Sequence, residues 1–236
     1  MKKETIPKII HYCWFGNKKP KKVKRIINRW KSILKDYTFI EWNESNFDIN
    51  SSCRFVKDAY KQKKWAFVSD YVRIKALIDY GGIYLDTDVE VLKSFDQFLD
   101  NKLFISQESE ISLCTAVIGS IKNNSLLKKF LNGYENERFI FSKNIEANSV
   151  KIKKFIENNY FIKINFNDEI LNDDFCVYKR SVFCAKDIHT YKLDKNDSTV
   201  SIHQLDASWY SYPHKIMKKI KKIFRYLINY FTVRSK

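Results

Sequence analysis

Glycine and proline are scarce in this chain, with five Gly and three Pro in 236 residues. An all-β sandwich, a propeller or a collagen-like chain needs many more turn residues, so these architectures are excluded. The scarcity makes the one glycine pair, Gly81-Gly82, a strong stop signal. No stretch reaches the ~18 apolar residues of a membrane-spanning helix. The first apolar run, 9–16, is short and carries His11, which predicts no secretory leader and a protein kept inside the cell. The five cysteines (Cys13, Cys53, Cys114, Cys176, Cys184) are an odd set without a C-x-x-C pair. They read as reduced, mostly buried thiols, and neither a disulfide framework nor a zinc site is expected.

Acid is missing from two segments. Residues 17–31 hold eight Lys/Arg and no Asp or Glu, and so do residues 213–236. Together these blocks equal the whole net charge of +16, so the rest of the chain is nearly neutral. A chain charged this way seeks anions: nucleic acid, anionic lipid or phosphorylated small molecules. No recognisable nucleic-acid motif accompanies the charge, so nucleic acid is not an expected partner. In the second block Ile216, Ile220, Ile223, Phe224, Leu227, Ile228 and Phe231 fall near one helical face, with Lys218, Lys219, Lys221, Lys222 and Arg225 around the rest. That pattern suits a helix on an anionic membrane surface, or one packing its apolar face on the domain. The expected organisation is a domain over 1–212 and a basic amphipathic tail over 213–236.

With 44% hydrophobic residues, the chain can bury a real core. Residues 9–15 read as a buried strand ended by Gly16-Asn17. A basic amphipathic helix follows, with Val23, Ile26, Ile27, Trp30 and Leu34 on one face, and then a strand at 38–42. Strand, helix, strand opens an α/β nucleotide-binding unit. Helices are predicted over 54–63 and 66–80, the second stopped by Gly81-Gly82. Strands are predicted at 83–85, 89–92, 103–106 and 115–119, helices at 126–134 and 148–158, and short strands near 181–184 and 199–203. The sum is a mixed sheet flanked by helices.

Asp86-Thr87-Asp88 lies directly after a strand. In an extended chain its carboxylates share one face, with Cα atoms roughly 6–7 Å apart. Two such carboxylates suit a hard divalent ion, Mg²⁺ or Mn²⁺, shared with phosphate oxygens. In α/β sheets the ligand crevice lies beyond the carboxyl ends of the strands, where this triplet sits. On the preceding helix, Asp70 and Arg73 are neighbours three residues apart among apolar positions. A buried Asp and Arg need partners, which a ribose or a diphosphate can supply.

The run Ala66-Phe67-Val68-Ser69-Asp70-Tyr71-Val72-Arg73, followed by Gly81-Gly82-Ile83-Tyr84-Leu85-Asp86-Thr87-Asp88, resembles the DXD-motif sugar transferases. These include bacterial capsular and lipopolysaccharide glycosyltransferases, yeast initiating mannosyltransferases and glucosylating clostridial toxins. The start, Ile6 to Gly16, and Ile202-His203-Gln204 with Ala207-Ser208-Trp209 match the bacterial members as well. The resemblance implies a GT-A fold and a metal-dependent glycosyltransferase. The donor is a nucleotide-sugar, UDP-linked by preference, and the acceptor a growing capsule, O-antigen or lipopolysaccharide glycan, with retention of configuration.

It also implies roles. Trp14 stacks on the donor base. Asp70 and Arg73 hold the ribose and the sugar or diphosphate, and Tyr84 lines the donor pocket. Asp86 contacts the sugar, the ribose or, through water, the metal. Asp88 coordinates the metal, and His203 approaches it or the diphosphate. Ser208 and Trp209 close over the diphosphate. Cys114 and Thr115 stand where bacterial members often carry Asn-Thr on the sugar or acceptor side. Asn148 either faces the acceptor or is a plain helix cap. An enzyme extending a lipid-linked glycan is expected on the inner face of the cytoplasmic membrane. The competing readings are a metal-independent glycoside hydrolase using a carboxylate pair, and a non-enzymatic anionic-lipid binder that keeps the fold as a relic.

Overall fold

The computed structural model describes residues 4–16, 18–142 and 145–206. Ser208, Trp209 and the basic tail expected at 213–236 lie outside the described residues.

The chain opens with β1 (Ile9–Cys13), α1 (Lys21–Ile33) and β2 (Thr38–Trp42). Then come α2 (Arg54–Lys61), α3 (Trp65–Tyr80), β3 (Gly82–Leu85), β4 (Val89–Val91), β5 (Leu103–Ser109), β6 (Ser112–Leu113) and β7 (Val117–Ser120). The last elements are α4 (Ser125–Glu135), α5 (Asn148–Tyr160), β8 (Ile170–Leu171), β9 (Cys176–Tyr178), α6 (Arg180–Phe183) and β10 (Ser201–His203). The main sheet runs β2-β1-β3-β7-β5-β9-β8, with β6 paired to β5. β1 is parallel to both β2 and β3, whereas β7 is antiparallel to β3 and β5, so the sheet is mixed. β4 leaves it and pairs antiparallel with β10 in a small second sheet.

Alternation along the strands divides the core in two. Cys13, Tyr84, Ile105 and Ile118 face a layer built from α2 to α5. Ile10, Tyr12, Ile83, Leu85, Phe104 and Val117 face the other, built from α1, α6 and β4. The helix expected over 66–80 forms, one residue longer at its start, and is apolar nearly all round because it is buried. Gly81 takes φ +67° and Gly82 φ +107°. A Cβ on Gly82 would stand 2.6 Å from the Ile9 carbonyl, so the sharp helix-to-strand corner needs glycine.

Two expectations are corrected. Residues 180–183 form a single helical turn rather than a strand at 181–184. The turn lays Val182 and Phe183 into the Phe95–Phe98–Phe104 cluster, a packing that four residues of β-like composition do not disclose. The first strand ends at Cys13 instead of 15, although the Trp14 amide still donates to the Trp42 carbonyl at 2.9 Å.

Gly119 lies opposite Phe104 in the β5–β7 ladder, and a Cβ there would be 2.0 Å from that ring. Phe104 is fully buried among other aromatic rings and has no space to yield. Gly119→Ala should therefore cost about 1–3 kcal/mol. Gly133→Ala, where an added Cβ meets nothing within 4 Å, should stabilise by about 0.4–1 kcal/mol. Urea midpoints at unchanged m-value read both effects. A Gly119→Ala protein as stable as the wild type would show that the ring can move aside.

Candidate functional site

The parallel strands β2, β1 and β3 end at one edge, so Trp14 and Asp86 leave neighbouring strands on the same side. The Asp86 amide donates to the Ala116 carbonyl at 2.9 Å, which holds the exit of β3 against β7. The Val89 amide then donates back to the Asp86 carbonyl at 2.9 Å. Asp86-Thr87-Asp88 is thus a turn and not the extended segment its spacing suggests. The turn still gathers the carboxylates, because β4 pairs with β10 and sets His203 opposite Val89. One ligand atom each from Asp86, Asp88 and His203 lie within 4.8 Å of one another.

Asp88 is held from three sides. His203 Nε2 is 3.4 Å from its Oδ1, the Asp206 amide donates to its Oδ2 at 2.9 Å, and the Gln204 amide donates to its carbonyl at 3.0 Å. Burial pushes the Asp88 carboxyl up, but the His203 charge and hydrogen bond outweigh it and hold it at about 2. Burial likewise lowers the His203 imidazole, and the Asp88 carboxylate overrides that and raises it well above its ordinary range.

Arg73 is 5% exposed and fully engaged by the protein. Its Nη2 lies 3.0 Å from Asp70 and 3.3 Å from Asp86, Nη1 donates to the Thr115 carbonyl at 2.7 Å, and Nε donates to the Ser69 carbonyl at 3.2 Å. Its guanidinium also lies 4.6 Å from the Tyr84 ring centre, and Tyr84 donates its hydroxyl to Asp86 Oδ1 at 2.8 Å. The partners that a ribose or diphosphate was expected to supply to this pair therefore come from the chain itself. Burial lowers the Arg73 guanidinium, but the Asp86 carboxylate reverses that and keeps it firmly charged. Burial raises the Asp70 carboxyl to about 6 against the pull of Arg73.

Asn148 is the first residue of α5, and the cap position is Ala147, so the cap reading is set aside. Its buried side chain accepts from the Tyr134 hydroxyl at 3.0 Å and reaches Asp70 at 3.4 Å. Thr115 serves the site through its carbonyl. Cys114 is fully buried beneath His203 and does not line an open acceptor face. Trp14 is partly buried at its strand end. A groove lined by Glu44, Phe47, Asp48, Lys57 and Tyr60 does not have Trp14 among its lining residues, although its Glu44 accepts from the Gly16 amide at 2.7 Å.

Sequence reasoning missed Glu108 and Cys184. Glu108, Cys114, Cys184 and His203 each offer a ligand atom within 4.8 Å of the others. The cysteines read as isolated buried thiols because no C-x-x-C pair joins them, and nothing in the sequence singles out Glu108.

Residues 20–105 match the family model described as the glycosyltransferase sugar-binding region containing a DXD motif. The matched segment contains Asp70, Arg73 and the Asp86-Thr87-Asp88 turn. It is 26% identical over 131 residues to the mannosyl phosphorylinositol ceramide synthase CSH1 of Saccharomyces cerevisiae, covering 54% of this chain and 35% of that one. It is 28% identical over 126 residues to inositol phosphoceramide mannosyltransferase 3 of Schizosaccharomyces pombe, covering 52% and 35%. The chain thus spans 35% of the length of these curated relatives. Among solved structures it resembles the PaToxG glycosyltransferase, with a TM-score of 0.52 at 20% identity over 66% of this chain and 70% of that one. That likeness is one of fold, and the fold is GT-A-like: a mixed sheet between helical layers.

Proposed function

We propose that this chain is a metal-dependent glycosyltransferase. It moves a sugar from a nucleotide-sugar, UDP-linked by preference, to a glycan or lipid-linked glycan acceptor with retention of configuration. The observation that carries this reading is the convergence of Asp86, Asp88 and His203 at the carboxyl end of β3, inside a matched DXD domain. The two relatives named above are named for inositol phosphoceramide, and this favours an acceptor of lipid type.

The residues fit a hard divalent ion. They offer two carboxylates and an imidazole, and Asp86 Oδ1 takes Tyr84 and Arg73 while its Oδ2 has no protein donor among the described residues. Mn²⁺ or Mg²⁺ suits such oxygen-rich donors. When bound, the ion supplies neutralisation of the charge that grows on the departing diphosphate, an interaction stronger in the transition state than in the ground state. Asp88 is kept ionised and in place by His203 and the Asp206 amide. Arg73 acts as a positioning residue: it fixes Asp70 and Asp86 against each other and keeps both near a positive charge. Trp14 offers a ring to the donor base, Tyr84 holds Asp86, and Ser208 with Trp209 close over the diphosphate. Of the two readings of the tail at 213–236, a lipid-linked acceptor favours the anionic membrane surface over packing on the domain.

A glycoside hydrolase works with a carboxyl pair alone, about 5–5.5 Å apart when it retains configuration and about 6.5–9.5 Å apart when it inverts and must admit a water. Asp86 and Asp88 offer oxygens within 4.8 Å of one another and of a His203 nitrogen, a third donor that a carboxylate-pair hydrolase does not call for. That geometry favours a cation over a sugar.

Calorimetric titration of UDP and GDP, each with Mn²⁺ and with chelator, tests the reading. One nucleotide should bind with Mn²⁺ and fail to bind with chelator. Trp14→Ala should weaken it about 5- to 150-fold, since base stacking is worth ~1–3 kcal/mol. Binding that ignores the chelator would overturn the metal role, and unchanged affinity in Trp14→Ala would remove the stacking claim.

A further inference from the structure

Behind the DXD turn lies a second cluster, which shares His203 with the proposed transferase site but adds three residues that reading does not use. Cys114 and Cys184 are both free thiols with no solvent exposure. Glu108 and His203 face them, each with 14% of its side chain exposed. The four residues come from four places: a bulge in β5, the residue after β6, the end of α6, and β10. His203 Nδ1 is 3.8 Å from Glu108 Oε1 and 3.9 Å from Cys184 Sγ. The first distance is too long for a hydrogen bond and the second marginal even for sulfur. The spacing suits a shared central atom instead. Tetrahedral bonds of about 2.0 Å to N or O and 2.3 Å to S put N and O roughly 3.3 Å apart and N and S roughly 3.5 Å apart, so each pair would close in by about 0.4–0.5 Å on a shared atom.

We propose that Glu108, Cys114, Cys184 and His203 form a tetrahedral zinc site that staples the small β4–β10 sheet and α6 to β5. Two thiolates, an imidazole and a carboxylate are a soft, mixed set that selects zinc over Mg²⁺ or Mn²⁺. The surroundings complete it. Glu108 Oε2 accepts from the Ser112 hydroxyl at 2.9 Å, which leaves Oε1 directed at His203. With Nδ1 on zinc, His203 keeps its proton on Nε2 and donates it to Asp88 Oδ1, 3.4 Å away. A carboxylate on the far nitrogen of a zinc-bound histidine fixes its tautomer and ring orientation. Here that carboxylate is the second Asp of the DXD turn, so the zinc site sets the orientation of Asp88. With zinc bound, His203 reaches the hard ion only through Asp88 instead of serving as its third donor, and Asp86 and Asp88 hold that ion. The C-x-x-C spacing whose absence spoke against zinc is replaced by ligands brought together only by the fold.

Full-length protein prepared under reductant and desalted in the presence of chelator should keep about one zinc per chain by elemental mass spectrometry. Cobalt reconstitution should give the strong visible bands of tetrahedral cobalt and a near-ultraviolet thiolate-to-cobalt band. Cys114→Ser and Cys184→Ser should each weaken the thiolate band, and Asp86→Asn should leave it intact. Reduced wild-type protein that takes up neither zinc nor cobalt, or binds cobalt without the thiolate band, overturns the proposal. So does a thiolate band that survives in the Cys114→Ser/Cys184→Ser double variant. If the serine variants fail to fold, the wild-type metal content and spectrum still decide. Zinc content and nucleotide binding are read separately, so a missing zinc leaves the transferase reading standing, and the reverse holds too.

Discussion

Asp88→Asn is expected to lower kcat/KM for sugar transfer by about 10³-fold or more, and to abolish Mn²⁺-dependent nucleotide binding. That magnitude follows from the several kcal/mol that a metal contributes to a developing leaving-group charge. Asparagine presents a neutral oxygen where the turn now presents a carboxylate. The fold, by contrast, should survive. The amide keeps an oxygen for the Asp206 N–H, and the loss is the ionic part of its contact with His203. A hydrogen bond to a charged group is worth about 1.5–3 kcal/mol, and part of it remains. Without ligand the variant should lose about 1–2 kcal/mol, a fall in Tm of roughly 2–8 °C for a domain of this size. Calorimetric titration and thermal melts on the same samples separate the two effects. A variant that still binds nucleotide only with Mn²⁺ would remove Asp88 from the metal. One that no longer folds would recast the residue as structural.

The parts of this site that were legible in the sequence are the local ones. Asp70 and Arg73 sit three apart on a helix whose other residues are apolar, and a helix has one geometry, so their pairing could be read directly. Gly81-Gly82 before an apolar triplet marks a corner and a strand, and it placed Asp86 at a strand end. What followed was less legible. One residue between two aspartates does not tell a turn from a strand, and the deciding contact, the Val89 amide on the Asp86 carbonyl, is made by backbone that any residue supplies. The partners of Arg73 include the Thr115 and Ser69 carbonyls, which no side-chain pattern announces. Cys114 meets Cys184 and His203 only because β4 leaves the main sheet to pair with β10. Pairings between distant short strands are set by tertiary packing, and three residues carry too little pattern to specify a partner.

Arg73→Met is expected to cost about 3–5 kcal/mol of stability, more than either carboxylate partner's replacement by its amide. Methionine fills much of the same space, so the loss is electrostatic. It strands Asp70, 15% exposed, and Asp86, 28% exposed, without the cation that lies between them, and removing one member of a buried ion pair leaves an uncompensated charge. Arg73→Lys should recover only part of the loss. An ammonium keeps the charge but cannot span two carboxylates and two carbonyls with one planar fork.

The pH dependence carries a second signature of this pair. In the folded protein burial holds Asp70 at about 6, above the ordinary carboxylate range. A carboxyl raised by folding binds its proton more tightly in the native state, so its contribution to stability falls as pH rises from about 4 through 6. The fall amounts to up to about 3 kcal/mol, since each tenfold difference in proton affinity between folded and unfolded chains is worth about 1.4 kcal/mol. Subtracting the Asp70→Asn profile from that of the wild type isolates it, because carboxylates held low by folding, such as Asp187 at about 2, lose their contribution only at more acidic pH. In Arg73→Met the same fall should be larger and extend to higher pH, since the guanidinium that now opposes burial is gone. Urea unfolding between pH 4 and 8 measures all three proteins. Parallel profiles for wild type and Asp70→Asn would mean that Asp70 is ionised throughout, and that the Arg73 pairing outweighs burial rather than yielding to it.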